Sequence, residues 1–454
     1  MEFVTLIVMN HPVSALDGRY SKKLTELSGI VSEFGLMKYR ITVEVAWLHF
    51  LKDNSIIPPE VDLVKLSNVV SEFNSVEFEK IKEIEVTTKH DIKAVEYYLR
   101  DYVDKSAWSW IHFACTSEDI NNISYALLLK DAQKVTLDFL QKTILYNLEQ
   151  KALSWKDTSM LAHTHGQPAT PTTVGKEFAV YAHRVQTICT RLQAVPIMAK
   201  INGATGNYAA HNVAFPHIDW ITLSKEFIES FNLSWNPLTT QIENHDYQSE
   251  ILDHVSRLCS VLSDLCTDMW GYISIEYFGL KLSQGEVGSS TMPHKVNPID
   301  FENARGNFKL TRGIARTLSD ELPISMWQRD LSDSTLQRNF GLVFGHFLLG
   351  LKSLENGLNK IELRKDILER DLAKNPEVLT EAIQTVLRKN GYADAYEQLK
   401  ELSRGRTVTL EEIRAFVQML KINSADKEIL NALTPNTYVG KSGELVDIYF
   451  KGNV

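Results

Sequence analysis

Basic charge is in short supply: 48 Lys and Arg stand against 57 Asp and Glu, a net charge of −9. A nucleic-acid surface needs a basic footprint to meet phosphate, so this balance argues against one, and an anionic ligand must be met by cations concentrated locally. Cysteine is scarce as well. Cys115, Cys189, Cys259 and Cys266 show no C-x-x-C spacing, which excludes a dense disulfide framework. Cys259 and Cys266, two turns apart on an expected helix, lie ~10 Å from one another, too far to bond. Buried free thiols in a reducing compartment are expected. Long apolar runs are missing: the most apolar, Phe340 to Leu351, is interrupted by His346 and too short to span a bilayer. The opening MEFVTLIVMN has a short apolar run behind Glu2 and no basic region, so it reads poorly as a signal peptide. The expectation is a cytoplasmic protein with no membrane partner. Strand signals are scarce, and internal repeats and Gly/Ser linkers are absent, as are Walker, Rossmann and zincin motifs.

What is present is helical periodicity in a chain of 454 residues, long enough for two or three domains. Hydrophobic residues make up 44% and charged residues 23%, the composition of a globular protein. A helical pattern runs from Ala15 to about Lys52, short amphipathic segments fill 59–115, and Thr116-Ser117-Glu118-Asp119 reads as an N-terminal capping box. In 172–195, 249–283 and 333–360 apolar residues recur in steps of three and four, the spacing of a helix-bundle seam. As one helix, 249–283 would be ~50 Å long. Leu252, Cys259, Cys266, Trp270 and Ile273 widen its apolar face, from which self-association is expected. Gly341, Gly345 and Gly350 would each cost about 1 kcal/mol in an exposed helix, so close helix–helix approach is expected there. Residues 200–216 read as a turn-rich excursion or small hairpin, and 377–450 as a small helical cap. The class is all-α.

One stretch gathers chemistry: Gly288-Ser289-Ser290-Thr291-Met292-Pro293-His294-Lys295-Val296-Asn297-Pro298. Asn297 suits an N-cap, Pro298 the first helical position and Asp300 the first turn. A capped surface loop explains that much. Two hydroxyls, an imidazole and an ammonium beside a positive helix end also suit reaction on an anionic substrate, and Gly285 and Gly288 would let the loop move. His165 in Thr164-His165-Gly166-Gln167-Pro168 is either a solvated turn histidine or a general acid, with Thr170-Pro171 expected to start the next helix. His163 and His165, two apart, match no metal spacing. In Lys89-His90-Asp91 the aspartate reads as a helix cap. Thr116 and Ser117 are caps by default, or with the free N–H groups a carboxylate or phosphate seat. Arg329 and Arg338 flank Ser334 and Thr335 near a helix start and read as a phosphate clamp or as surface ion pairs, with Arg19-Tyr20 able to join them.

Taken with the blocks TKHDIKAVEYYL, FACTSEDINN, THGQPATPTTVGKE, QIENHDYQSE and WQRDLSDSTLQRN, the 288–298 stretch resembles the signature of the fumarase/aspartase/argininosuccinate lyase superfamily. Its His294-Lys295 version is similar to that of the bacterial adenylosuccinate lyase family. The resemblance runs from Asp17 through Arg406 and is weakest at the N-terminus. His163 stands where the pattern leads one to expect a basic residue such as arginine.

The resemblance implies three helical domains, 1–115, 116–364 and 365–454, the central one a long bundle forming the core of a homotetramer with shared active sites. It implies elimination of fumarate from adenylosuccinate, giving AMP, and from the succinylated aminoimidazole carboxamide ribotide of purine synthesis, giving AICAR. It implies no metal and no organic cofactor. By similarity Ser289 is the base, His165 the acid, Glu302 tunes or orients the histidine, and Lys295 stabilises developing charge. Ser290, adjacent and chemically alike, is assigned to substrate binding. Thr116, Ser117, Gln241, Lys295 and Asn297, with Val296, would hold the succinyl carboxylates. Arg19, Tyr20, Arg329, Ser334, Thr335 and Arg338 would hold phosphate and ribose, with Lys89, His90, Asp91 and Asn303 completing the pocket. Two rivals stand beside this reading. One is a sibling argininosuccinate lyase or fumarase, separated by the Arg329, Arg338 and Arg19 clamp. The other is a structural protein that keeps the bundle without activity, against which intact Ser289, His165, Lys295 and Glu302 argue.

Overall fold

The computed structural model describes residues 11–281, 292, 295–403 and 408–452. Ser289, Ser290 and His294 of the expected base loop lie outside the described residues. The described chain divides into two compact units. The first comprises residues up to 140, 188–260 and 304–352; the second comprises 141–187, 261–303 and 353 onward.

In the first unit the periodic segments are helices for the reason their spacing gives: one face of each is apolar and finds neighbours. Helix Glu33–Asp53 buries Met37, Ile41 and Leu48, helix Ser117–Phe139 buries Ile120, Ile123 and Leu129, and the start of helix Asp246–Ser274 buries Ile251, Val255 and Leu258. The expected 15–52 helix is interrupted. Turns occupy 15–20, and the Ser32 hydroxyl accepts the Gly35 N–H at 3.2 Å, separating helix Thr25–Val31 from Glu33–Asp53. Close approach at the glycines is as expected. A Cβ on Gly350 would lie 2.6 Å from the Phe308 ring, and one on Gly341 would lie 3.1 Å from the Val31 carbonyl oxygen.

Three other expectations are corrected. The 249–283 pattern is not one helix: Asp246–Ser274 ends before a left-handed Glu276 (φ 66°), and Phe278–Leu280 pairs antiparallel with Ile361–Leu363. On its wide apolar face Leu252, Cys259 and Cys266 are buried within the chain, whereas Trp270 is 49% exposed. The 333–360 pattern splits into Ser332–Gln337 and Phe340–Lys360. Residues 200–216 form no hairpin. Gly203 (φ 85°) and Gly206 (φ 75°) make a turn in which Gly206 approaches the Thr239 carbonyl too closely for a Cβ, and helix Ala209–Ala214 follows.

The second unit contains an antiparallel hairpin, Ser159–Thr164 with Gln167–Thr173. Thr170-Pro171 therefore lies in a strand, and helix Val174–Ala194 starts after it. The chain from Lys365 to Phe450 is a set of short helices. Ile383, Leu387, Ala395, Leu399, Val408, Ile413, Val417 and Leu430 form a buried core there, as the shortened periodicity foretells. Cys189, Cys259 and Cys266 are buried, Cys115 is half-buried, and none of the four is in a disulfide. Among the described residues no helix is long and apolar enough to cross a membrane.

Candidate functional site

In the first unit Thr116 and Ser117 stand at the start of helix Ser117–Phe139, where N–H groups lack helical partners. The position is fixed by Asp119, which is wholly buried. Its carboxylate accepts the Thr116 N–H at 2.8 Å, the Lys200 ammonium at 2.9 Å, the Asn202 N–H at 2.9 Å and the Gly203 N–H at 3.1 Å. One side chain thus ties the helix start to the 200–206 turn. The loop before it is strained: His112 and Ala114 adopt left-handed backbone at φ 60° and 57°. His112 Nδ1 lies 2.6 Å from the buried Glu44 carboxylate. Burial pushes the His112 pKa down, but Glu44 and the more distant Glu96 and Asp119 outweigh it, so the pKa is raised. Burial pushes the Cys115 thiol well above its ordinary value, so no reactive thiolate competes beside Thr116.

Gln241 and Arg329 come together, although the resemblance assigns them to different parts of the substrate. Arg329 donates to Gln241 Oε1 at 3.4 Å, Gln241 Nε2 donates to the Ala204 carbonyl at 3.0 Å, and the Gln241 N–H meets the Gln328 carbonyl. A cavity of about 740 Å³ is lined by Ala204, Thr205, Gln241 and Met326 through Leu331. Trp327 at its mouth is 93% exposed and left-handed at φ 53°. Behind it Arg329 meets Glu118 at 3.0 Å and Asp333 at 3.6 Å, and Asp333 caps the Ser334 N–H at 2.6 Å. Arg338 lines two other cavities of about 260 and 270 Å³, the latter with Asp17 and Ser21. The two expected clamp arginines therefore face different cavities. Arg19 lies over the Tyr20 ring at 5.8 Å. Thr335 is exposed, its carbonyl accepting Asn339 Nδ2.

Asp91 is not the helix cap. His90 is: its Nδ1 accepts the Lys93 N–H at 3.3 Å, while Lys89, left-handed at φ 54°, ends the preceding helix. Asp91 instead holds two guanidiniums, Arg40 at 2.8 Å and Arg338 at 3.0 Å. Burial pushes its carboxyl up, yet Arg40, the Ile92 N–H and Arg338 hold its pKa below the ordinary carboxylate value.

In the second unit His165 and Gly166 are the two central residues of the hairpin turn, both left-handed at φ 54° and 73°. That is the type I′ geometry a two-residue hairpin favours, and it leaves the imidazole exposed at the tip. His163, on the strand opposite Pro168, is also exposed, its ring 6.0 Å from that of Tyr277. Glu302 lies in the first turn of helix Ile299–Glu321 and accepts the Trp270 indole N–H at 3.1 Å. Lys295 and Val296 are exposed and Asn297 is half-buried ahead of that helix. The helix begins at Ile299, so Pro298 rather than Asn297 occupies the capping position, its carbonyl accepting the Phe301 and Glu302 N–H groups. Asn303 accepts from Ser353 at 2.8 Å. Among the described residues no cluster of three or more His, Cys, Asp or Glu side chains could hold a metal.

The residues that sequence reasoning missed are the buried charges Arg40, Glu44, Lys200 and Asp333, while Glu118 and Asp119 were read only as part of a capping box. A signal was available at Arg40, which interrupts an apolar helical face containing Met37 and Ile41.

The long-helix fold is that of a family of lyases. Residues 18–312 match the family model described as lyase, and residues 325–439 match that of the adenylosuccinate lyase C-terminal region. The fold is shared with a fumarate lyase from Mesorhizobium sp. BNC1 (TM-score 0.77, 18% identity, 95% of this chain and 98% of that one). It is shared also with a 3-carboxy-cis,cis-muconate lactonizing enzyme from Pseudomonas putida (TM-score 0.74, 21% identity, 94% and 96%). Adenylosuccinate lyase of Haemophilus influenzae is 47% identical over 446 residues, and that of Escherichia coli K12 is 45% identical over 445, each spanning 96% of this chain and 98% of the relative. The chain belongs to the adenylosuccinate lyase family.

Proposed function

We propose that the protein is a carbon–nitrogen lyase that cleaves adenylosuccinate to AMP and fumarate, and the succinylated aminoimidazole carboxamide ribotide to AICAR and fumarate. The observation that carries this reading is identity of 45–47% to adenylosuccinate lyases along nearly the whole chain. Ser289 takes the proton from the succinyl carbon next to a carboxylate. The electron pair left behind expels the nitrogen, which receives a proton from His165, so base and acid are regenerated by exchange with water. Serine is a weak base unless its alkoxide is stabilised, a role for Lys295 and the start of the 299–321 helix. Glu302 orients the acid. Thr116, Ser117, Gln241, Lys295 and Asn297 hold the succinyl carboxylates, with Ser290 and Val296 also against the substrate. Arg19, Tyr20, Arg329, Ser334, Thr335 and Arg338 hold phosphate and ribose, beside Lys89, His90, Asp91 and Asn303.

The working form in this reading is a homotetramer whose sites are shared between copies. An exposed helix face supports it, where Leu310 is 51% exposed and Gly306 and Gly313 look onto open space. Fumarate release followed by ultraviolet absorbance tests the function. Adenylosuccinate should turn over faster than argininosuccinate or malate, and the reverse order would exclude the assignment. Ser289→Ala should lower kcat by ~10²–10⁴ with unchanged melting; near-normal turnover would move the base elsewhere.

A further inference from the structure

Arg40 sits in the apolar face of helix Glu33–Asp53 with its side chain 2% exposed. A buried ion pair is often no more stabilising than an apolar side chain of the same volume, so stability alone does not account for it. Its fork of donors serves two acceptors in different directions. The terminal nitrogen meets Asp91 Oδ2 at 2.8 Å, and Nε donates to Asn121 Oδ1 at 3.0 Å. The same Asp91 oxygen holds Arg338 at 3.0 Å. Asn121 Nδ2 in turn donates to Glu118 Oε1 at 2.7 Å, the oxygen that holds Arg329 at 3.0 Å. A line of side chains thus runs Arg338–Asp91–Arg40–Asn121–Glu118–Arg329 without a gap.

We propose that Arg40 is a positioning residue that shares Asp91 with Arg338 and, through Asn121 and Glu118, sets Arg329, so that the two anion-binding arginines, each at its own cavity, are positioned together. The proposal rests on the assignment of Arg329 and Arg338 to the substrate's anionic groups. The physical reason lies in charge. Asp91 divides its attraction between two guanidiniums and so leaves Arg338 with positive field to spare for a ligand. Without Arg40 the carboxylate would pair with Arg338 alone and compete with the ligand's anion. Lysine keeps the charge, but its single ammonium is not a fork and cannot reproduce both contacts.

The test uses the full chain, with adenylosuccinate as probe, fumarate release as readout and melting temperature recorded for each variant. Arg40→Met should raise KM about tenfold or more while kcat changes less than threefold, and Arg40→Lys should recover part of that loss. A double-mutant cycle gives the readout that a merely structural role would not move. The KM losses of Arg329→Lys and Arg338→Lys should be non-additive in the native background and additive with Arg40→Met. Should Arg40→Met fail to fold, Asn121→Ala cuts the same line while leaving the Arg40–Asp91 pair, and additive losses are expected in its background. A folded Arg40→Met, or Asn121→Ala in its place, with unchanged KM or with the non-additivity preserved would overturn the proposal. Were Arg329→Lys and Arg338→Lys themselves to leave KM unchanged while the enzyme turns over, the clamp assignment would fall instead.

Discussion

Lys200 and Asp119, both without solvent exposure and 2.9 Å apart, are the clearest case of single residues deciding the site. Asp119 spends its two oxygens on Lys200 and on three backbone N–H groups from two separate segments. Removing one partner of such a pair leaves an uncompensated buried charge, at a cost of about 3–5 kcal/mol. Lys200→Met should therefore lower the urea midpoint by that equivalent. It should also weaken substrate binding, because Thr116 and Ser117 are carried on the tied helix start. A variant with native stability would show that the carboxylate is satisfied by the backbone alone. Pattern reasoning finds Thr116 and Ser117 as caps, but not Lys200, which in sequence is an ordinary lysine. Its partner lies about 80 residues away, and only the fold supplies it.

Among the elements, the 111–116 loop, left-handed at His112 and Ala114, is tied down by the pairing of its His112 with Glu44 on helix Glu33–Asp53. The sign of its pH dependence follows from the direction of the shift. The pKa of His112 is raised on folding, so the pair contributes fully below the ordinary histidine value of about 6.5 and is lost as pH rises through the raised value. The difference in melting temperature between the native protein and Glu44→Gln should be largest in mildly acid buffer and shrink as pH rises past that value. A difference that grows with pH would refute the pairing. The His165-Gly166 turn shows the other limit of reading at this scale. Its residues announce a turn, but the strands around it contain Pro168 and Pro171, which made 164–171 look like a loop leading into a helix. Backbone pairing across Ser159–Thr173 decides otherwise.

For the whole molecule, the described residues fall in two units, and the candidate residues divide between them. The proposed clamp belongs to the first, and His165, Glu302 and Lys295 belong to the second. If sites are shared between copies, two inactive variants should complement. Mixing His165→Ala with Ser289→Ala protein, under conditions of confirmed subunit exchange, should restore roughly a quarter of native activity if a random mixture leaves about one site in four with both native residues. No recovery would count against shared sites. The long helices were legible because an apolar stripe at steps of three and four can be buried in few other ways. Their ends were not: the left-handed Glu276 and the break at 338–339 interrupt patterns that continue in the sequence on either side.

The sequence by itself determined the helical class and the family, because those depend on local periodicity and on residue types at fixed spacing within motifs. The tertiary structure alone decided how the arginines are held. Asp91 serves two guanidiniums rather than capping its helix, Glu118 and Asp333 fix Arg329, and Arg40 bridges them. A charge becomes a positioning device only when burial removes water and brings its partner within reach, and neither condition is written in the order of the residues.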